Sequence, residues 1–184
     1  MGAQITFDEW VARLERAVDL LPQLLERKAA AIALRMQSAA KLNATTRPRA
    51  RSGHLRRSIE ASVKLRGYEG AVIRLGAHAH YAATQEFGAT ITGDLWIPLP
   101  PAKTAAGVSR WSSPREVPGL FRIRSRKGNL LLVRREGTGI TPYYVHRTSV
   151  TVPATYFARR AFEQVQREGL GLDDLLAEAL QEAA

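Results

Sequence analysis

The feature that most constrains this chain is a helical period near its start. Trp10, Leu14, Ala17, Val18, Leu21, Leu25, Ala29, Ile32 and Met36 recur at three- and four-residue intervals, the spacing that lines one face of an α-helix. Thr6-Phe7-Asp8-Glu9 stands before them. This is a capping box: the Thr hydroxyl can accept the backbone N–H three residues on, and the Glu carboxylate can reach back. The remaining positions are rich in Ala, Leu, Arg, Lys and Glu, all good helix formers. Residues 7–41 are therefore predicted to form one long helix, or two abutting at Pro22. Proline has no N–H to give and crowds the carbonyl four residues back.

Beyond the helix the period changes. Residues 43–53, NATTRPRARSG, read as an exposed loop. Ser52 can cap one helical turn in SGHLRRSI. Ile59–Arg66 then alternates apolar and polar residues, the mark of a half-buried strand. Gly67-Tyr68-Glu69-Gly70 turns the chain into a second strand over 71–76, which completes a hairpin. His80–Phe87 reads as a short helix stopped by Gly88. Residues 91–119 read as irregular, with an extended start at Trp96 that cannot stay a central strand past Pro98. A second hairpin pairs Leu120–Arg124 with Leu130–Arg135 around Ser125–Asn129, and Thr148–Val152 is a last strand. Pro153 opens a helix over Ala154–Glu168, with Phe157, Ala161, Phe162 and Val165 on one face. Gly169 and Gly171 end it, and 173–183 is a short acidic helix or a frayed tail. The expected fold class is α+β. It comprises a long N-terminal helix, an antiparallel sheet of hairpins and a C-terminal helix packed on the sheet. All of it forms one domain over 1–184, with an acidic tail at 169–184.

Chemistry is hard to place on this chain. There is no cysteine, which excludes disulfides and thiolate metal sites. The acidic opening at Asp8 and Glu9 does not read as a signal peptide, and the longest apolar run, Ala29–Leu34, is too short to span a bilayer. No nucleophile elbow and no phosphate-binding loop occurs. The carboxylates of the middle region stand singly, not in catalytic pairs. His78 and His80 would share a face on a strand, with Glu86 as a conceivable neighbour, but a third ligand at metal-site spacing is missing. The expectation is a protein with no catalytic residues, no metal and no cofactor.

Charge is the stronger signal. The net charge is +10. Residues 47–160 carry a large excess of Lys and Arg, whereas 161–184 hold one Arg against six acids. A basic middle with an acidic tail implies a polyanion near one surface and a cationic neighbour, such as another copy, near the tail. Arg47, Arg49, Arg51, Arg56 and Arg57 crowd into eleven positions. Arg122, Arg124 and Arg126 alternate, with Lys127 beside them, so a strand sends the arginines to one face, opposite Phe121, Ile123 and the core. Such a row suits phosphates read without sequence. It equally suits a solvated face, or ion pairs to a neighbouring subunit. Interleaved aromatics for stacking single strands are absent. Arg47, Arg49, Arg51, Arg122, Arg124, Arg126 and Lys127 are thus the candidate nucleic-acid-facing residues, and passive contact with a duplex backbone is the expected mode.

Three segments occur in an order that resembles a known family. Gly53, Leu55, Arg56, Ser58 and Ile59 sit in the first, SGHLRRSI. Tyr81, Ala82, Glu86, Phe87 and Gly88 sit in the second, HYAATQEFGATI. Pro153, Ala154, Phe157, Ala161 and Phe162 sit in the third, VPATYFARRAFEQ. In order and spacing they resemble the tail-completion and head–tail joining proteins of long-tailed bacteriophages, including the group like minor tail protein Z. Residues from about 92 to 149 exceed the minimal family plan, and the hairpin at 120–135 reads as part of an insertion.

The resemblance implies a non-enzymatic virion protein of the neck or upper tail, assembled in the host bacterial cytoplasm. It implies a homo-oligomeric ring, usually a hexamer. The partners would be the tail terminator or tail-tube protein on one side and the head connector or stopper on the other. Double-stranded DNA would pass through and no membrane would be involved. Leu55, Arg56, Arg57, Tyr81, Glu86, Phe87, Gly88, Pro153, Phe157 and Phe162 become candidate family-motif or subunit-interface residues. Within that picture Tyr81, Phe87, Ala82 and Ala83 pack a short helix on the sheet, and Glu86 pairs with Arg56 or Arg57. The alternative is a basic protein that binds nucleic acid without sequence preference outside any particle.

Overall fold

The computed structural model describes residues 6–46 and 53–184. Helix α1 runs unbroken from Phe7 to Thr46 and includes Pro22. At 1.5 Å per residue it is about 60 Å long. The capping box forms as expected. The Thr6 backbone N–H donates to Glu9 Oε2 at 2.8 Å, and the Glu9 N–H donates to Thr6 Oγ1 at 3.3 Å. The bond from the Thr6 backbone holds the Glu9 carboxyl below its usual range, and the Thr6 hydroxyl adds to this.

The α1 helix outruns the expected end at 41, and the reason is local. Ala44 is buried, and Asn43 donates through its side chain to the Phe157 carbonyl at 3.2 Å. Tertiary packing therefore holds a last turn whose Asn and Thr residues are weak helix formers. Residues 43–46 of the expected loop are helical. Its arginines, Arg47, Arg49 and Arg51, and the expected cap Ser52, lie outside the described residues. The helical turn that follows, α2 (His54–Arg57), is entered through Gly53 at φ 68°, a conformation that favours glycine.

Strands β1 (Ile59–Leu65) and β2 (Ala71–Ala77) form the expected antiparallel hairpin, in register from Ile59 against Ala77 to Leu65 against Ala71. The α1 helix lies across it. A short helix, α3 (Ala82–Phe87), then leads into strand β3 (Ala89–Pro98). That strand replaces the irregular chain expected from residue 91. Its hydrogen bonds come from a distant partner that local pattern does not reveal. Strands β4 (Leu120–Arg124) and β5 (Leu130–Glu136) are the expected second hairpin. The last strand, β6 (Gly139–Val152), starts at the glycine pair rather than at Thr148. The four strands form one antiparallel sheet in the order β3-β6-β5-β4.

Two helices close the chain. Helix α4 (Phe157–Arg167) starts later than the sequence suggests, because residues 153–156 are not helical and Thr155 and Tyr156 give their N–H groups to α3 carbonyls instead. Helix α5 (Leu175–Glu182) follows the bend at Gly169 and Gly171. It packs on the N-terminal half of α1, where Ala17 and Leu24 meet Ala179 and Ala183 in a buried cluster. Glu178 and Glu182 pair with Lys28 and Arg27, each at 2.9 Å. The acidic tail thus finds cations on its own chain, where the sequence suggested a neighbour. The α+β expectation holds, with two separate sheets where one was expected. The C-terminal helix packs on both the first hairpin and α1.

Candidate functional site

The three motif segments come together in one core. Leu55 and Ile59 from the first, Ala82 from the second, and Phe157 and Ala161 from the third are buried in a single cluster with Ala39, Ala40 and Ala44 of α1. Burying each of the larger side chains contributes about 1.5–3 kcal/mol. These residues make the shared core of the scaffold.

The joint between the second and third segments is specific. The Glu86 side chain, 8% exposed, accepts the backbone N–H groups of Ala158 at 2.9 Å and Arg159 at 3.0 Å. These are unsatisfied donors of the first turn of α4, and a carboxylate there also meets the positive end of the helix dipole. A residue of α3 thus caps a helix more than seventy positions later. Around it, Thr155 N–H and Oγ1 both donate to the Gln85 carbonyl, and Tyr156 N–H donates to the Glu86 carbonyl. Tyr156 adopts φ 51° to enter the helix. Gly88 leaves α3 at φ 74°, and a Cβ there would lie 2.8 Å from Ala154 N and 3.0 Å from Val152 O. Only glycine fits both the dihedral and the approach.

Within the fold, Glu86 is therefore not the partner of Arg56 or Arg57. Phe87 and Phe162 also depart from expectation: they are 72% and 52% exposed, and Ala83 is exposed with them. Phe162 misses the buried face because Phe157, Ala161 and Val165 already fill the four-residue row. Tyr81 is half-buried against the core, edge-on to His80. Pro153 is exposed beside the joint. His78 lies 3.2 Å from Glu60 Oε2, while Glu86 is turned to α4, so the two do not share a site. Among the described residues, no three His, Asp or Glu side chains are grouped to hold a metal.

The second lobe, residues 89–152, is built differently. Its first and last residues are themselves a strand pair, Ala89 against Val152. One face carries the row Arg122, Leu132, Tyr144 and Pro98; the other carries Ile123, Leu131, Val145 and Ile97. Opposed residues of antiparallel strands share a face. The sequence placed the core opposite the arginines. The structure places it on their side, where the segment after Pro98 folds back and buries Ala102 and Val117 against Tyr143 and Tyr144. Arg122 lies over the edge of this core, its guanidinium 5.9 Å from the Trp96 ring. The opposite row is left partly exposed. Its four residues are half-buried and Phe121 and Ile140 beside them are 40% and 52% exposed, although Val133 between Phe121 and Pro142 on the same face is buried.

Most of the net positive charge sits in this lobe. It holds ten of the chain's 27 Lys and Arg but three of its 17 Asp and Glu. Among the described residues, no ion pair forms at Arg122, Arg124, Arg126 or Lys127, which project from β4 and its turn. Glu136 is the most heavily bonded of the lobe's three acids. Thr141, Tyr143 and Arg134 all donate to it, and together they hold its carboxyl down to about 2. The same bond pushes the Tyr143 hydroxyl up. The Glu136 network pins the β5–β6 hairpin, and the sequence showed only a lone carboxylate.

Residues 8–88 match the family model described as "Bacteriophage HK97-gp10, putative tail-component". This stretch, somewhat under half of the chain, is similar to a phage tail component. The resemblance seen in the sequence therefore holds over α1, the first hairpin and α3, and the matched span ends at Gly88, one residue before the four-stranded lobe begins. No curated protein and no solved structure matches the chain. A phage tail component is a part of the virion. Among the described residues, no helix is long and apolar enough to cross a membrane.

Proposed function

We propose that this protein is a structural, non-enzymatic component of the upper tail or neck of a long-tailed phage. Copies form a ring, a hexamer in the reading favoured here, that completes the tail tube and receives the head connector. DNA passing through the ring is met by backbone charge alone. The observation that carries this reading is the conjunction at Gly88: the match to a phage tail component ends there, and a lobe whose Arg122, Arg124, Arg126 and Lys127 form no ion pair among the described residues begins one residue later. On this reading the lobe is an insertion into the scaffold. Repeated around a ring, its cations would line or adjoin the channel, and Arg122, Arg124, Arg126 and Lys127 supply a phosphate-directed surface that needs no base reading.

The test is to add the full chain to phage tails that lack it and to image their upper ends. Annular density at the head-proximal end is the expected result. Tails that remain bare, with the chain monomeric in their presence, would overturn the reading. The unpaired arginines also favour a second reading, a nucleic-acid-binding protein outside the particle. That reading requires the isolated monomer to bind duplex DNA tightly, whereas the first needs only weak, salt-sensitive contact.

A further inference from the structure

The apolar stripe of α1 is longer than its cover. Successive residues turn by about 100°, so Phe7, Leu14, Val18, Leu25, Ile32 and Met36 share one face. At its C-terminal end this face is buried, with Ile32 and Met36 packed against Val165, Ile73 and Leu75. At its N-terminal end it is bare. Phe7 is 76% exposed, Trp10 47% and Val18 44%. The α5 helix covers only the adjacent flank, through Ala17 and Leu24. The other flank is acidic. Asp8, Glu15, Asp19 and Glu26 fall about 100° from the stripe on the same helical count. All four are exposed, and none forms an ion pair among the described residues.

A complementary surface exists on the same chain but at the other end of it. The open row of the four-stranded sheet is apolar, and Arg135 and Arg147 stand exposed on that same face. The lobe hangs from the scaffold beside Phe157, which meets α1 at Asn43. The bare stripe lies near residues 7–18. About 40 Å of helix separates Asn43 from the stripe, and Phe7, Trp10 and Val18 on the one surface and Phe121 and Ile140 on the other are all exposed in the single copy.

We infer that the bare, acid-flanked stripe of α1 in one copy docks on the open, arginine-rimmed sheet face of the next. The occupant is a second copy because the chain itself carries both the apolar surfaces and the opposite charges. The contact is heterologous, so it propagates and closes into a ring if the rotation allows. It assigns the surfaces by which the ring of the proposed function would close, and so rests on that reading. It uses the face of the lobe opposite Arg122, which leaves that arginine free for phosphate.

The test uses two variants of the full chain, each checked for native helix content by circular dichroism. W10K/E15K spoils the stripe and F121E/R135E spoils the sheet face. By sedimentation, the wild-type chain is expected to associate with rising concentration at low salt, and each variant alone to lose at least about tenfold in self-affinity. Mixed one to one, each variant still supplies one sound surface, so a species of two chains and no larger is expected. The inference is overturned if either variant assembles like wild type, or if the mixture stays monomeric while wild type assembles. If a variant fails to fold, E15K/D19K and R135E/R147E, which change only exposed charges, replace the pair with the same expected outcomes. Assembly by both variants would sink this interface and leave the ring standing. A wild-type chain that stays monomeric even with tails present would sink both.

Discussion

The scaffold and the four-stranded lobe hold themselves together by opposite means. In the scaffold, residues 6–46, 53–88 and 153–184, the contacts are distant in sequence. Leu55 meets Phe157, Glu86 caps the helix at Ala158, and α5 returns to Ala17. In the lobe, 89–152, strands β4, β5 and β6 follow one another as hairpins, and a nearby segment folds over their own Tyr143 and Tyr144. The scaffold spends its polar side chains on closing joints. The lobe leaves Arg122, Arg124 and Arg126 without an ion pair among the described residues. The difference teaches where each kind of function sits: shape is fixed by the first region, while charge is presented by the second.

Substitutions can sharpen this contrast. The largest effect is expected in the shared core. Phe157→Ala should remove about 3–5 kcal/mol, since that side chain is 3% exposed and touches all three motif segments. Equilibrium urea unfolding would measure it, and a loss under 1 kcal/mol would contradict the convergence described here. Gly88→Ala comes next, at roughly 2–3 kcal/mol, because a side chain there meets backbone atoms in a disfavoured conformation. Glu86→Ala should cost about 1–3 kcal/mol by leaving two helix donors unpaired. Amide exchange at Ala158 and Arg159 should rise ahead of exchange in the lobe.

In the lobe the effects on stability should be small. Arg122, Arg124 and Arg126 changed together to Ala should shift the unfolding midpoint little, yet flatten the salt dependence of duplex binding. An unchanged salt slope would remove these residues from the proposed surface. Acid should act on the lobe through Glu136. Its folded value, about 2, lies below its unfolded one, so the stabilisation is present above about 4.5 and is lost as pH falls from there towards 2. Glu136→Gln should blunt this acid sensitivity, read as the tryptophan fluorescence of the lobe against pH.

Much of the scaffold was legible because its signals are periodic or local. The capping box, the stripe from Trp10 to Met36 and both hairpins depend on spacing alone. Gly88 was readable as a stop, but the close approach of Ala154 to it was not. Glu86 was readable as an acid in a motif. Its partner was not, because backbone N–H groups at a helix start leave no residue-type signature. Strand β3 escaped for a similar reason: Gly93-Asp94 interrupts its β-branched run Thr90-Ile91-Thr92 and Pro98 ends it, while its pairing with β6 is long-range. The core on the arginine side of β4 could not be foreseen either, since it depends on how the proline-rich stretch after Pro98 folds back.

The claim beneath all of this is that the scaffold is complete without the lobe, which hangs from it by the paired ends Ala89 and Val152. The most direct measurement deletes 89–152, joins Gly88 to Pro153 through a short glycine linker, and follows thermal unfolding by far-ultraviolet circular dichroism. The account predicts a helical protein with a single cooperative transition. A chain with no cooperative transition, or with the helix signal of α1 and α4 lost, would contradict it.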